Sequence, residues 1–332
     1  MKQINRRVKV ATAGEALIDL IPHEDGRLQP CLGGAVYNLT RALACQGVET
    51  MYLNPLSRDR FGRQLAAGLL DVGVHLAVPV PVPQVTALAV VGLDAQGHPD
   101  YAFYREGVAD RATSAADMSL ACAQAPDLSL VCTGALALSP DDADIYLPWL
   151  RSQGEAGRTV IIDANLRPSV MPDLAAYRLH VLAALQYANV IKVSDEDLAC
   201  LNLPGADAVE RARYLLRNSR ANLLALTRGG DGASLLTRHG QIFHAREIQA
   251  VTVLDTVGAG DCFLAGLVAA LLEQAIPAHW GTGEVSAAQA KDLLCHAIAS
   301  ASICVSRRGC QPPTRQEVQS RVAAVPFEFR LG

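Results

Sequence analysis

Short apolar segments alternate with helical patterns through the second half of the chain, and this alternation constrains the fold more than any other feature. The apolar segments cover residues 128–133, 159–163, 189–193 and 223–227, and each ends in polar or turn-forming residues. Strands that alternate with helices pair in parallel, so that helices cover both faces of the sheet. Ligands of such sheets bind at the carboxyl ends of the strands. We therefore predict an α/β chain with a mostly parallel central sheet.

A different element lies between helical patterns in the first part of the chain. The helical patterns at 36–46 and 60–72 are each followed by a glycine, as is common at helix C-termini. Two extended segments, 86–93 and 101–105, then follow on either side of a glycine-containing turn at 94–97. This spacing predicts a β-hairpin that projects from the main sheet.

Composition and charge argue against several classes of protein. The net charge is −4, and no dense run of lysine or arginine occurs, which argues against a nucleic-acid partner. Residues 76–93 carry no charge, but Pro79, Pro81 and Pro83 interrupt them, so we predict no membrane segment. The nine cysteines include no C-x-x-C pair, which argues against a zinc site. We expect them to be reduced and buried in a cytoplasmic protein.

The most informative stretch is the glycine-containing segment from Asp255 to Asp261, between an extended segment at 248–254 and a helical pattern at 262–274. Small residues at a helix start let an anion approach free backbone N–H groups at the positive end of the helix dipole. In the first helical turn, Asp261 could accept the proton of a hydroxyl that attacks a phosphate. The alternative is an ordinary loop whose acidic residue is favoured by the helix dipole. No Walker loop and no G-x-G-x-x-G motif occurs.

Five ordered stretches resemble motifs of the ribokinase-like (phosphofructokinase B type) carbohydrate kinases, and fructokinases in particular: 14–19, 33–38, 227–232, 255–261 and 308–310. The resemblance extends over nearly the whole chain. It implies one ribokinase-like domain over residues 1–332, a three-layer α/β sandwich with a small β-sheet lid formed by segments of about 20–32 and 86–112. It also implies ATP-dependent phosphorylation of a sugar hydroxyl, with fructose as the first candidate.

The same resemblance implies roles for individual residues. The catalytic set consists of a general base and an anion hole, Asp261 with Gly258, Ala259 and Gly260. The sugar would be bound by Asp19, Gly34, Asn38, Arg105 and Arg167. The nucleotide would be bound by Ser194, Thr227, Gly229 and Gly232. Asp197 would contact Mg²⁺ through water, and Asp255 would serve a monovalent cation such as K⁺.

Three stretches depart from the pattern of the family. Its N-x-x-E motif, which organises Mg²⁺, reads here as Ser194 to Asp197. Asp197 is one methylene shorter than glutamate, and Glu196 is the alternative ligand. Residues 54–57 replace a glycine-bearing turn, and Tyr37 replaces a small residue near the sugar motif. We expect the last two departures to affect which sugar fits.

Several alternatives stay open at this point. Arg105 and Arg167 would suit the carboxylate of 2-keto-3-deoxygluconate, since a guanidinium binds a carboxylate through two hydrogen bonds. A nucleoside kinase is a further enzyme alternative, with Tyr37 and Phe103 to stack on a base. A catalytically weak sugar or nucleotide sensor on the kinase fold is the alternative of another class. We also predict a homodimer through the lid, because the hairpin offers an apolar edge that a partner could cover.

Overall fold

The computed structural model describes residues 7–22, 25–93, 99–274 and 284–332. The strands in these ranges are β1 (Val10–Thr12), β2 (Leu17–Pro22), β3 (Leu28–Gly33), β4 (Thr50–Tyr52), β5 (His75–Leu76), β6 (Ala87–Leu93), β7 (Pro99–Tyr104), β8 (Leu130–Gly134), β9 (Thr159–Asp163), β10 (Val190–Ser194), β11 (Leu223–Thr227), β12 (Ala233–Thr237), β13 (Ile242–Glu247) and β14 (Phe327–Leu331). The α-helices are α1 (Ala35–Cys45), α2 (Arg60–Leu70), α3 (Ala115–Ala123), α4 (Ala143–Glu155), α5 (Leu174–Leu185), α6 (Asp195–Cys200), α7 (Ala208–Arg217), α8 (Ala259–Glu273), α9 (Ala287–Val305) and α10 (Arg315–Ala324).

The larger sheet has the strand order β14-β13-β12-β11-β10-β9-β8-β1-β4-β5. The pairings from β11 to β5 are parallel, and those from β11 to β14 are antiparallel. The four apolar segments of the sequence are the adjacent strands β8, β9, β10 and β11. The prediction of a mostly parallel central sheet is therefore confirmed.

Hydrophobic side chains cover both faces of this sheet. Consecutive strand residues point to opposite faces, and β9 shows the consequence. Ile161 packs in one cluster with Leu264 of α8, whereas Val160 and Ile162 pack in another cluster with Trp149 of α4. All five side chains are fully buried. The predicted three-layer sandwich follows from this two-sided burial.

The smaller sheet has the strand order β3-β2-β6-β7. The pairs β2–β3 and β6–β7 are antiparallel, and β2 joins β6 in parallel with Leu17 opposite Ala87. The predicted hairpin is confirmed by the register of Leu88 opposite Tyr104. Its predicted turn at 94–97 lies outside the described residues. The four strands overlap the two segments predicted for a lid.

The connection into α8 differs from the prediction. Residues 248–254 are apolar enough to suggest extended structure, but the strand ends at Glu247 and the segment belongs to no sheet. The N–H group of Leu254 instead donates to the carbonyl oxygen of Val305, at the end of α9, over 2.8 Å. Val253 and Leu254 are more than half exposed, so the apolar character of this segment does not reflect core packing.

A membrane-crossing helix is not found among the described residues, because no helix there is both long and apolar enough.

Candidate active site

A cavity of about 490 Å³ lies between the small sheet and the start of α8. Its lining includes residues predicted for the sugar site and for the catalytic turn, namely Asp19, Gly34, Asn38, Arg167, Asp255, Gly258, Ala259, Gly260 and Asp261. These residues come from four separate stretches of the sequence. The fold therefore brings the predicted sugar-binding and catalytic groups together, with the exception of Arg105.

The glycine turn has a backbone shape that requires glycine at its centre. Gly258 has φ +79°, in the left-handed region, and a Cβ atom there would lie 2.2 Å from Sγ of Cys310. A Cβ atom on Gly260 would lie 2.9 Å from Nζ of Lys192. α8 begins at Ala259, so the turn leads directly into the positive end of a helix. The arrangement fits a site in which an anion approaches the backbone closely.

Asp261 lies in the first turn of α8 and is 6% exposed. Its Oδ2 accepts a hydrogen bond from Nδ2 of Asn38 over 3.1 Å. Burial, together with the nearby charge of Asp163, raises the pKa of Asp261 to about 7, although Lys192 and Asn38 act in the opposite direction. A carboxyl group with such a pKa can both accept and release a proton near neutral pH.

Lys192 and Asp163 form a buried ion pair that sequence reasoning missed. Nζ of Lys192 lies 3.0 Å from the carboxylate of Asp163, and the two side chains are 5% and 7% exposed. Burial lowers and Asp163 raises the pKa of Lys192, and the net shift is upward, so the lysine stays charged. Its charge lies beside Gly260. The sequence signal that could have revealed the pair is a lysine inside the apolar strand segment 190–193, because a buried lysine needs a charged partner.

Glu15 is a second residue whose role was not predicted, although it lies in a quoted motif. It lines the cavity, and its Oε1 accepts a hydrogen bond from the N–H group of Ala35 over 3.0 Å. Burial raises the pKa of Glu15 to about 7. Gly34 makes this approach of α1 possible, because its φ is +102° and a Cβ atom there would lie 2.6 Å from the carbonyl oxygen of Glu15.

Asp19 and Arg167 both line the cavity, and their charges interact. Burial raises the pKa of Asp19 to about 6, while the charge of Arg167 acts to lower it. Nη1 of Arg167 donates to Oδ1 of Asn165 over 2.7 Å, which holds the guanidinium on the cavity lining. Asn165 has φ +37°, a left-handed conformation that asparagine tolerates better than most residues.

Arg105 does not line this cavity. Its guanidinium contacts the fully buried carboxylate of Asp142 over 3.0 Å, and Arg111 contacts the same carboxylate over 2.6 Å. Arg105 lines a neighbouring cavity of about 390 Å³ instead. The charges of Asp110, Asp142 and Glu15 hold the guanidinium at this position, outside the lining of the large cavity.

Ser194 and Asp197 form a capping box at the start of α6. The N–H group of Asp197 donates to Oγ of Ser194 over 3.0 Å, and the N–H group of Ser194 donates to Oδ2 of Asp197 over 2.8 Å. Oδ1 of Asp197 accepts from the N–H group of Leu166 over 2.7 Å. Both carboxylate oxygens are therefore held by backbone groups, which suits a contact through water better than direct ligation of a metal.

The predicted nucleotide residues lie at the same edge of the sheet, outside the lining of the large cavity. Thr227 ends β11 opposite Ser194, which ends β10. Gly229 begins the following single helical turn. Gly232 has φ +86°, and a Cβ atom there would lie 2.2 Å from the carbonyl oxygen of Ala245. The loop therefore needs glycine at this position for packing, apart from any contact with a nucleotide.

Asp255 connects the glycine turn to the segment that follows α9. Its Oδ1 accepts from the N–H group of Val257 over 3.0 Å, and its Oδ2 accepts from the N–H group of Gly309 over 2.8 Å. Gly309 and Cys310 also line the cavity. The predicted closing motif is thus fixed to the predicted catalytic motif through one carboxylate.

A comparison with protein families identifies the chain. The model of the pfkB family carbohydrate kinases matches residues 7–317. The chain belongs to the pfkB family. The family and the prediction of a ribokinase-like carbohydrate kinase are therefore confirmed.

Relatives within the pfkB family include several fructokinases. One from Rhizobium leguminosarum bv. trifolii is 32% identical over 270 residues, which cover 79% of each chain. One from Escherichia coli is 30% identical over 318 residues, 94% of this chain and 98% of that protein. The crystal structure of a fructokinase with bound ATP from Xylella fastidiosa superimposes with a TM-score of 0.84 at 26% identity and covers 96% of this chain and 99% of that one. The predicted similarity to fructokinases is confirmed.

Tyr37 of this pfkB-family chain does not line the cavity. Its side chain is fully buried, and its hydroxyl donates to the carbonyl oxygen of Leu65 over 3.2 Å. A Cβ atom on Gly68 of α2 would lie 2.4 Å from the tyrosine oxygen. Tyr37 therefore packs between α1 and α2, outside the cavity lining, so it does not crowd the pocket directly, and its effect on which sugar fits stays a prediction.

Proposed function

We propose that this pfkB-family enzyme transfers the γ-phosphoryl group of ATP to a hydroxyl group of fructose, with Asp261 as the general base. The observation that carries the proposal is the position of Asp261, buried in the cavity at the start of α8 and hydrogen-bonded to Asn38. The fructokinases among the relatives and the bound ATP of the Xylella fructokinase support the choice of substrates.

The proton of the attacking hydroxyl goes to a carboxylate oxygen of Asp261 as the bond from the sugar oxygen to the γ-phosphorus forms. The bond from that phosphorus to the bridging oxygen of ADP breaks in the same displacement. The raised pKa of Asp261 gives the carboxylate more affinity for the proton than an exposed aspartate has. Asn38 holds one oxygen of the carboxylate, so the other is oriented toward the substrate.

Developing negative charge on the phosphoryl oxygens is offset by groups that are already in place. Backbone N–H groups at the start of α8 act as donors, and they need no reorganisation during the reaction. The buried ammonium group of Lys192 lies beside Gly260 and adds a fixed positive charge. The lysine is kept protonated by Asp163, so its charge does not depend on pH near neutrality.

The sugar would lie between the small sheet and α1. Asp19 accepts hydrogen bonds from adjacent hydroxyl groups, and Oδ1 of Asn38, a buried acceptor without a partner among the described residues, accepts another. Arg167 donates to a sugar oxygen from the opposite wall. Closure of the small sheet over the sugar would exclude water, which could otherwise accept the phosphoryl group.

ATP would extend from the glycine turn toward Ser194, Thr227, Gly229 and Gly232. Mg²⁺ takes oxygen ligands and retains several waters. Asp197 fits a water-mediated contact, because each of its oxygens already accepts a backbone hydrogen bond, and Glu196 is the alternative. When bound, Mg²⁺ neutralises phosphate charge. The Asp255–Gly309 connection is the proposed place of a monovalent cation such as K⁺.

A second candidate substrate is 2-keto-3-deoxygluconate, favoured by Arg167 on the cavity lining. A guanidinium there can bind a carboxylate through two hydrogen bonds. Arg105 gives this alternative less support than the sequence suggested, because its guanidinium is directed to Asp142. A keto-acid kinase would phosphorylate fructose poorly, since fructose has no carboxylate to form this pair of hydrogen bonds.

The deciding experiment measures ADP release with ATP and Mg²⁺ across fructose, 2-keto-3-deoxygluconate, ribose, tagatose and a set of nucleosides. Asp261→Asn is assayed in parallel, and Asp127→Asn at an exposed position serves as the matched control. We expect fructose to give the highest kcat/KM, and Asp261→Asn to lower kcat by about 10²–10⁴-fold. Asp127→Asn should retain the parent rate.

Three results would count against the proposal in different ways. A preference for the keto acid would transfer the assignment to the second candidate. Near-parent turnover by Asp261→Asn would remove the general base. ATP binding without turnover of any sugar would favour a sensor.

We further propose that the enzyme forms a homodimer through the small sheet and resides in the cytoplasm. Strands β3 and β7 are the edges of that sheet, and Leu28 and Tyr104 on them are 47% and 62% exposed. All nine cysteines are unpaired, which fits a reducing compartment. Sedimentation of the parent and of Tyr104→Glu tests the dimer, and a strictly monomeric parent at micromolar concentration would contradict it.

A further inference from the structure

Three cysteines converge beside the glycine turn, although their sequence spacing argued against a metal site. Cys262 follows Asp261 in the first turn of α8, Cys304 lies in the last turn of α9, and Cys310 lies in the segment after α9. Their Sγ atoms all lie within 4.8 Å of one another. The spacing argument fails to anticipate this cluster because the packing of α8 against α9 brings Cys262 to Cys304, and the segment after α9 adds Cys310.

We propose that Cys262, Cys304 and Cys310 form a binding site for a thiophilic divalent cation, with Zn²⁺ as the physiological class. Zn²⁺ binds cysteine thiolates at about 2.3 Å, which places three such sulfurs about 4 Å from one another. The observed spacing therefore requires movements of about 1 Å or less. Soft sulfur ligands disfavour Mg²⁺ and Ca²⁺, so this site would not compete for the metal that accompanies ATP.

Metal binding releases the protons of the three thiols, because the thiolate is the form that ligates a metal. Cys262 lies in the first turn of α8, where the positive end of the helix dipole offsets thiolate charge. Three thiolates and a divalent cation carry a net charge of −1, whereas a monovalent cation would leave more buried charge.

A cation can reach the cluster from the large cavity, and a water molecule there can serve as the fourth ligand. Cys262 and Cys304 are fully buried, but Cys310 is partly exposed and lines the large cavity. A cation can therefore enter from the cavity, and a water molecule from the same side can complete a tetrahedral set. The thiol of Cys304 donates a hydrogen bond to the carbonyl oxygen of Val257 over 3.6 Å, and loss of the thiol proton on metal binding would end this contact.

Binding at this place would restrain the glycine turn. Cys310 already packs so closely on Gly258 that no Cβ atom fits between them. A cation shared by Cys262 and Cys310 would join the start of α8 to the closing segment, in addition to the Asp255–Gly309 hydrogen bond. The alternative is that the three cysteines bind no metal and serve only as small apolar residues where two helices pack closely.

The test uses the full chain, stripped of metal and kept reduced. Cd²⁺ is titrated as the probe, and the ultraviolet charge-transfer band from thiolate to cadmium is recorded; Zn²⁺ is then measured by competition against a chromophoric chelator. We expect one equivalent per chain. Cys304→Ala and Cys310→Ala should each weaken binding about tenfold or more and lose one thiolate contribution to the band. Cys295 is buried on the same helix as Cys304, so Cys295→Ala is the matched control, and it should retain the full affinity and the full intensity of the band.

The proposal would be overturned if the parent protein gave no charge-transfer band at one equivalent of Cd²⁺. It would also be overturned if Cys295→Ala lost as much affinity for the metal as Cys304→Ala. Full retention of affinity by both Cys304→Ala and Cys310→Ala would do the same. Thermal unfolding of each variant establishes that it is folded before titration, and Cys310→Ala, at the partly exposed position, is the variant least dependent on core packing. The readout is binding, so it is independent of which sugar the enzyme phosphorylates.

Discussion

Asn38 donates a hydrogen bond from Nδ2 to Oδ2 of Asp261 over 3.1 Å, and so connects the first turns of α1 and α8 across the cavity. The two residues are far apart in sequence and belong to different predicted motifs. One contact therefore connects the sugar-side helix to the candidate base, and it has consequences for proton affinity as well as for position.

Replacing Asn38 should move the pH dependence of turnover to higher pH. The hydrogen bond lowers the pKa of Asp261, which burial raises to about 7. Asn38→Ala removes that stabilisation of the carboxylate, so a higher pH is needed to ionise the base. A hydrogen bond of ordinary strength corresponds to a shift of about 0.5–1 pH unit in the acidic limb of kcat. Measuring kcat at saturating sugar separates this shift from a weaker affinity for the sugar. A variant with reduced kcat but an unchanged acidic limb of the pH profile would contradict the prediction.

Removing the ammonium group of Lys192 should lower both stability and activity, for separable reasons. Lys192→Met leaves the buried carboxylate of Asp163 without its partner, which typically costs about 3–5 kcal/mol in the free energy of unfolding. The double variant with Asp163→Leu removes the stranded charge and should recover much of that loss in denaturant melts. Activity should stay low in both variants, because the positive charge beside Gly260 is missing. Recovery of activity together with stability would restrict Lys192 to a structural role.

We expect Arg105 to contribute to the stability of the folded enzyme more than to sugar binding. It contacts the fully buried carboxylate of Asp142, which Arg111 also contacts. Arg105→Ala should lower the free energy of unfolding by about 1–3 kcal/mol, since one charged hydrogen bond is lost while the other remains. KM for fructose should change little. A selective rise in KM for 2-keto-3-deoxygluconate at unchanged stability would instead return Arg105 to the sugar site.

The sheet and the catalytic turn were predictable because each depends on local sequence. Strands β9 and β11 coincide with two of the predicted apolar segments, and Asp261 lies in the first helical turn where the small residues before it suggested. These features require only hydrophobic periodicity and the conformational freedom of glycine. Neither depends on which distant residue lies nearby.

The features that the sequence did not reveal depend on pairing between distant segments. Lys192 meets Asp163 because β10 lies beside β9 in a parallel register that places the two residues opposite each other. Arg105 turns to Asp142, and Tyr37 fits beneath α2, through contacts that no spacing rule encodes. The three clustered thiols have the same origin, since they come from α8, α9 and the segment after α9.

Glu15→Gln should make the stability of the enzyme less dependent on pH. Burial raises the pKa of Glu15 from 4.5 to about 7 in the folded state. A native pKa above the unfolded value means that the folded chain binds the extra proton, so stability decreases as pH rises from about 4.5 to 7 and then levels off. Glutamine resembles the protonated acid and retains an oxygen for the N–H group of Ala35. The variant should therefore match the parent near pH 5 and exceed it by about 2–4 kcal/mol near pH 8. Unfolding by denaturant across this range measures the difference, and parallel curves for the two proteins would show that Glu15 is already ionised at no cost in the folded chain.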